Sequence, residues 1–219
     1  MTPVLALLAA YLIGGIPFGY IIVRLKTGRD VRSLGSGNIG ATNVLRTTGR
    51  AVAVITLLLD IAKGYCAVWL MAWVSGDSPV WTSAAALTVM AGHAYPIFLK
   101  FKGGKAVASF IGAFLYLTPI ALLAVLILFV AVVATTRYIS LGSIVAAGTF
   151  PIAVWMILHP PAANVVAAFI AGAFVVIRHK ANMQRIRAGN ENVFRFGRAP
   201  RGARYVGRQV TQDGAGVKL

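Results

Sequence analysis

Long apolar runs, separated by polar segments rich in arginine and lysine but almost free of carboxylates, constrain this chain more than any single motif. A run of about twenty apolar residues is long enough, as a helix, to cross a bilayer core of roughly 30 Å. Such runs lie near Pro3–Val23, Ala51–Val74, Val80–Leu99, Ile139–Leu158 and Ala162–Ile177. With 58% hydrophobic and only 12% charged residues over 219 positions, the composition is that of an integral membrane protein. The opening "MTPVLALLAAYLIGGIPFGYIIV" lacks the basic start of a signal peptide and its apolar run is long enough to span, so it reads as a retained first helix. The single cysteine, Cys66, rules out a disulfide framework and is expected to be a small core residue.

The stretch 106–136 is the ambiguous one. As one helix its 31 residues would run about 46 Å at 1.5 Å per residue, and Thr118-Pro119 would break it. Distributing the basic residues decides the matter. If 106–136 is a hairpin of two helices there are seven spans, and 24–50, 100–105, 137 and 178–219 all fall on one side. The opposite loops, "SGDSP", "YLTP" and "LHPP", contain no Lys or Arg. Of 21 Lys and Arg, only Lys63, inside the second span, is then off that side. The positive-inside rule makes this face cytoplasmic. The expected fold class is all-α: a polytopic membrane helix bundle of about seven transmembrane helices, N-terminus outside and C-terminus cytoplasmic. The net charge of +16 is therefore topology first, and implies no nucleic acid. Residues 1–193 form the membrane-embedded unit, and the basic, glycine-rich segment 194–219 reads as a tail drawn to anionic lipid.

Three polar segments converge on the basic face: "SGNIGATNVLRTTGR", "GHAYPIFLKFKGGKAVAS" and "RHKANMQRIRAGNE". In the first, a Gly/Ser entry precedes a short helix that places Thr42, Asn43 and Arg46 near one face, with N–H groups from Ser36 to Gly40 expected to be free. In the second, Gly103 and Gly104 are expected to curl into an N–H nest at the start of an apolar helix, and Lys105 adds a full charge. The third continues the last span, with His179, Asn182 and Arg185 near one face. Guanidinium, ammonium, hydroxyl, amide and N–H groups without a carboxylate among them suit phosphoryl oxygens. Arg24, Lys26, Arg137 and the tail cations read instead as headgroup anchors.

Other chemistries fail on the residues. "FKGGKA" is not a nucleotide P-loop, because Leu99 and Ala106 occupy its first Gly and its Ser/Thr positions. There is no G-x-S-x-G elbow, and His93, His159 and His179 are too scattered for ligand spacing on one helix. No metal or cofactor is expected. Asp60 and Lys63, three residues apart inside a span, read as a structural ion pair, a link to the basic face, or a relay.

The three segments, in this order and against these spans, resemble the three motifs of the bacterial acyl-phosphate:glycerol-3-phosphate acyltransferase family. The resemblance covers about residues 1–193 and includes "IPFG" and "LLDIAKG". It implies transfer of a fatty acyl group from acyl phosphate to the sn-1 hydroxyl of glycerol 3-phosphate, yielding 1-acyl-glycerol 3-phosphate and phosphate, the first step of phospholipid synthesis at a bacterial inner membrane. By that resemblance Ser36, Asn38, Thr42, Asn43 and Arg46 hold the glycerol phosphate, and Gly103, Gly104 and Lys105 take the acyl-phosphate head group. His179 and Asn182 serve activity and Glu191 braces the structure. A soluble acyl-phosphate-producing enzyme is the candidate protein partner, beside membrane lipids. Tyr95, Ala106, Ser109 and Gly15 depart from the family's usual Phe, Gly, Thr and Ser, and Ala106 bears on the loop's shape, since a Cβ disfavours positive φ.

The residues agree with that reaction. A mixed anhydride is already activated, so alignment and charge stabilisation suffice without a covalent intermediate. The rival reading, a transporter or binding protein for phosphorylated metabolites, would place its polar groups near the midplane and show internal repeats. Neither feature is evident in the sequence.

Overall fold

The computed structural model describes residues 1–158 and 160–194; His159 and nearly all of the basic tail lie outside them. Among the described residues every regular element is helical. Thr2 caps the first helix, α1 (Pro3–Gly15), by accepting the Leu5 N–H, and Pro3 stands at its first turn, where a missing N–H removes no helical bond. The expected single span over Pro3–Val23 is broken: Pro17 has no N–H to donate, and the chain restarts as α2 (Phe18–Thr27), which ends at Gly28 with φ +69°. The break releases the Ile16 carbonyl, which the Lys63 ammonium binds at 2.8 Å.

After a short helix α3 (Ala41–Thr47), the longest helix, α4 (Arg50–Ser75), crosses the molecule, and α5 (Pro79–Ala94) returns. The expected span to Leu99 ends five residues early, because Pro96 stops the helix and a 3-10 turn, Ile97–Leu99, follows. The stretch 106–136 is two helices, α6 (Val107–Leu117) and α7 (Pro119–Thr136), divided at Thr118-Pro119. Next come α8 (Ile139–Leu158), α9 (Ala162–Arg178) and α10 (Lys180–Arg187). The last two are bent by 53° at His179 instead of forming one continuous helix. Among the described residues, four helices are long and apolar enough to cross a membrane, counting α1 with α2, and a fifth is if α9 with α10 is one span. A total of seven requires α5 and α6 as well; at 16 and 11 residues these span only about 24 and 16 Å.

Packing is closest between α4 and α6, α7 and α8, α1 and α5, and α8 and α9. The α4–α6 contact depends on paired glycines. A Cβ on Gly64 would stand 2.3 Å from the Ser109 carbonyl oxygen, and one on Gly112 would stand 1.9 Å from that of Ile61. Small residues that let backbones touch are the usual glue between helices in lipid, where apolar burial alone gives no preference. Phe110, Phe114 and Phe150 fill the centre, ring centroids 4.8–4.9 Å apart. The outer surface carries Leu8, Ile21, Leu58, Leu123, Ile127 and Val130, as a lipid-facing surface does. Cys66 belongs to that surface and not to the core, because in lipid small apolar residues suit both faces. Trp69 and Trp73 near the end of α4, Trp81 at the start of α5 and Trp155 near the end of α8 all mark the end opposite the basic face, the place of an interfacial aromatic belt.

Candidate active site

The first polar segment is built from its own asparagines. Asn43, buried on α3, accepts the Ser36 N–H at 2.9 Å and donates through Nδ2 to the carbonyls of Val31, Leu34 and Asn38. The Asn38 side chain accepts the Gly40 N–H at 2.8 Å, and the Gly37 N–H goes to Leu34. Of the five N–H groups from Ser36 to Gly40, three are thus committed within the loop. Asn43 and Asn38 were expected among the ligands; the amide of the one and the side-chain oxygen of the other hold the loop in shape. Ser36 is exposed, and Thr42 and Arg46 are half-buried. Burial lowers the Arg46 pKa, with Glu191 opposing and Arg185 reinforcing that effect, so Arg46 lies within the field of the third segment.

The second segment also differs from a free nest. The Gly103 N–H donates to the Ala94 carbonyl and the Gly104 N–H to the His93 carbonyl, both at 3.1 Å. The glycines are required by closeness: a Cβ on Gly103 would meet the His93 carbonyl at 2.2 Å, and one on Gly104 the His93 ring at 2.1 Å. Ala106, not a glycine, takes the left-handed turn, φ +61°, and starts α6. Anion-binding capacity therefore moves three residues on, to the first turn of α6, whose N–H groups have no helical acceptor. Lys105 stands at its entrance.

The third segment fixes Lys105. Its ammonium donates to Asn182 Oδ1, and Asn182 Nδ2 donates to Glu191 Oε1 at 2.7 Å. The same Glu191 oxygen accepts from the Ser140 hydroxyl at 2.9 Å, and Oε2 accepts from Arg185 at 2.7 Å. Arg178 donates twice to the Gly104 carbonyl, at 2.8 and 3.2 Å, and lies 5.0 Å over the Tyr95 ring. His179 is buried at the bend with Nδ1–H on the Val175 carbonyl at 2.8 Å. In the neutral ring that leaves Nε2 as an acceptor.

Electrostatics follow from this closeness. Burial pulls the Lys105 pKa down to about 8; Glu191 opposes this, while Arg185, Arg46 and Arg178 add to it. Burial pushes Glu191 up, but hydrogen bonds from Asn182, Arg185 and Ser140 outweigh it and hold its carboxyl below the usual range. Lys105, Arg46, Arg178 and Arg185 thus share one locus with a single carboxylate. Ser140 carried no motif signal; Arg178 opens the third segment but could be read there only as another basic residue at a helix end. Asp60 and Lys63 pair at 2.8 Å within the bundle.

A multi-pass, all-helical membrane enzyme with a cationic site at the helix ends on one face is the class that this fold and site define. A family model described as glycerol-3-phosphate acyltransferase matches residues 4–189. Glycerol-3-phosphate acyltransferases of Geobacter sulfurreducens and Syntrophotalea carbinolica are 47% and 46% identical to this chain, over 85% and 86% of it and 94% and 96% of their own lengths. Among solved structures, the crystal structure of PlsY (YgiH), an integral membrane glycerol 3-phosphate acyltransferase, in its glycerol 3-phosphate form superposes with a TM-score of 0.83 at 34% identity, covering 88% of this chain and 96% of that one. Its lysophosphatidic acid form gives 0.80 at 32% identity, covering 88% and 95%. The chain belongs to the glycerol-3-phosphate acyltransferase family and is an acyltransferase of phospholipid synthesis.

Proposed function

We propose that the protein transfers a fatty acyl group from acyl phosphate to the sn-1 hydroxyl of glycerol 3-phosphate, at the cytoplasmic face of a bacterial inner membrane, with its N-terminus outside. The observation that carries this is the Lys105–Asn182–Glu191 chain, which draws the second and third polar segments together at the start of α6, within the field of Arg46. Glycerol 3-phosphate and lysophosphatidic acid, named for the two forms of the PlsY structure, are substrate and product of this reaction.

Two phosphorylated substrates explain why cations gather from all three segments. Arg46, with Ser36 and Thr42, faces the glycerol phosphate; Lys105 and the α6 N–H groups face the acyl-phosphate head. The hydroxyl oxygen attacks the acyl carbonyl carbon as the carbon–oxygen bond of the anhydride breaks, and phosphate leaves with the electron pair. The hydroxyl proton passes to a phosphate oxygen, whose second pKa near 6 suits the task. Lys105 and Arg46 stabilise the charge that grows on the leaving phosphate, while His179 and Asn182 position the reactants. An apolar groove of about 340 Å³ lined by Ile16, Pro17, Tyr20, Ile21, Phe98 and Leu99 lies between the helix break and the second segment and offers an acyl chain a place at the lipid boundary.

The deciding assay gives purified protein glycerol 3-phosphate and, in parallel, acyl phosphate or acyl-CoA. Lysophosphatidic acid made from acyl phosphate alone supports the reading; use of acyl-CoA alone overturns the donor. Product formation in micelles, where nothing can be transported, also separates the enzyme from a carrier.

A further inference from the structure

Behind the Lys105 loop lies a group of buried charges that the proposed reaction leaves unused. Asp60 and Lys63 pair at 2.8 Å, and His93 Nδ1 lies 3.7 Å from the same Asp60 oxygen, all three side chains at most 4% exposed. That 3.7 Å is too long for a hydrogen bond, so while Lys63 occupies the Asp60 oxygen, His93 Nδ1 has no hydrogen-bond partner. Buried ion pairs are often no more stabilising than the apolar residues that could replace them, so one kept here calls for a use. Lys63 has a local use, since it satisfies the Ile16 carbonyl at the break between α1 and α2. His93 has no such carbonyl to serve; it has Gly104.

His93 holds Gly104 twice. Its carbonyl accepts the Gly104 N–H, and its ring lies so close that a Cβ on Gly104 would meet Nε2 at 2.1 Å. From the other side Arg178 holds the Gly104 carbonyl. The next residue is Lys105. We infer that His93, backed by Asp60, is a positioning residue for the Lys105 anion site: its ring sets how closely Gly104 approaches α5, and so where the Lys105 ammonium and the first N–H groups of α6 point. This rests on the reading above, that a substrate phosphate is held at Lys105.

The test uses the close approach itself. Lys105 in the purified protein is modified with an amine-reactive reagent under rising inorganic phosphate, and protection is read by peptide mass spectrometry. His93→Ala should raise the half-protecting phosphate concentration about tenfold. Gly104→Ala should weaken protection at least as much, because its methyl strikes the ring; its φ is not left-handed, so the backbone itself admits alanine. The double variant should protect better than Gly104→Ala alone, since the methyl enters the space that the ring vacates. If Gly104→Ala cannot be purified but the double variant can, the suppression is shown directly. In turnover, His93→Ala should raise the KM of one phosphorylated substrate about tenfold and leave the other within twofold. Unchanged protection in His93→Ala, additive effects in the pair, equal rises in both KM values, or a wild-type Lys105 that phosphate does not protect would each overturn the inference. A wild type inert toward acyl phosphate would overturn only the donor assignment, because protection is read without turnover.

Discussion

Lys105 and Asn182, 77 positions apart in sequence, are joined by a hydrogen bond from ammonium to amide oxygen. The amide passes the contact to Glu191, which Ser140 and Arg185 also hold. Lys105 is therefore oriented by a network, not by its own flexible stem.

Truncating either anion-binding cation should cripple turnover. Each charge-assisted contact is worth about 1.5–3 kcal/mol, so Lys105→Ala or Arg46→Ala should lower kcat/KM by roughly ten- to hundredfold or more. Lys26→Ala, at the exposed end of α2, should stay near wild type. Steady-state kinetics on the three variants checks this, and equal losses would mean a general surface-charge effect.

Lys105 should impose a basic limb. Its pKa of about 8 in the free protein means that the ammonium which binds phosphate is present below that pH and is lost above it. The pH profile of kcat/KM should bend downward near 8. A bound dianion favours the protonated lysine, so the limb in kcat should lie at higher pH. Lys105→Arg, which stays charged, should remove the limb whatever activity it keeps.

Glu191 should appear in stability instead. Its folded pKa lies below the ordinary carboxylate value, so it contributes stability above the unfolded-state pKa, and that contribution fades as pH falls through the folded pKa. Thermal unfolding between pH 7 and 3 should show Glu191→Gln with a lower Tm at neutral pH and a smaller further loss in acid than wild type. A Gln variant with an unchanged profile would deny Glu191 the bracing role.

Topology is open to chemical labelling. In a Cys66→Ala background, single cysteines at Ser78 and Ala162 should react with an impermeant reagent on intact cells, and one at Thr48 should not. Labelling of Ala162 and Thr48 from the same side would remove the hairpin reading of α6 and α7, and with it the count of seven spans.

The residues also show what a sequence can and cannot disclose. Apolar runs and a one-sided distribution of cations are properties of composition along the chain, so the helical bundle and its basic face were legible. The three polar segments were legible too, as places where phosphate-binding groups gather. What each group does there was less so. Whether an N–H is free depends on which carbonyl the fold delivers to it, and the carbonyls of His93 and Ala94, which bind Gly104 and Gly103, belong to residues whose backbone role no motif announces. Asn43 looks like a ligand until its amide is found among three loop carbonyls. Ser140 is one more serine in an apolar helix until Glu191 folds back onto it. The break at Pro17 could be expected from proline itself, but the use of Lys63 to satisfy it could not.

The route of the hydroxyl proton gives the last prediction. Glu191 is occupied by Asn182, Arg185 and Ser140, and Asp60 lies buried against Lys63, so neither carboxylate is available as a base. His93 is buried with its ring against Gly104, which leaves His179 as the side chain to weigh against a substrate phosphate oxygen. Its Nδ1 proton is committed to the Val175 carbonyl, so Nε2 is a lone pair when the ring is neutral and a donor when it is charged. The geometry alone permits either role. An activated anhydride demands little of a base, and a phosphate oxygen with pKa near 6 is already beside the hydroxyl. With the proton leaving on phosphate, His179 only orients, and an amide can replace it in part. His179→Gln should then keep clearly more activity than His179→Ala, and the acidic limb of the wild-type pH–rate profile, set by phosphate, should survive in the Gln variant. A Gln variant as inactive as the Ala variant, or one that has lost its acidic limb, would make His179 the base.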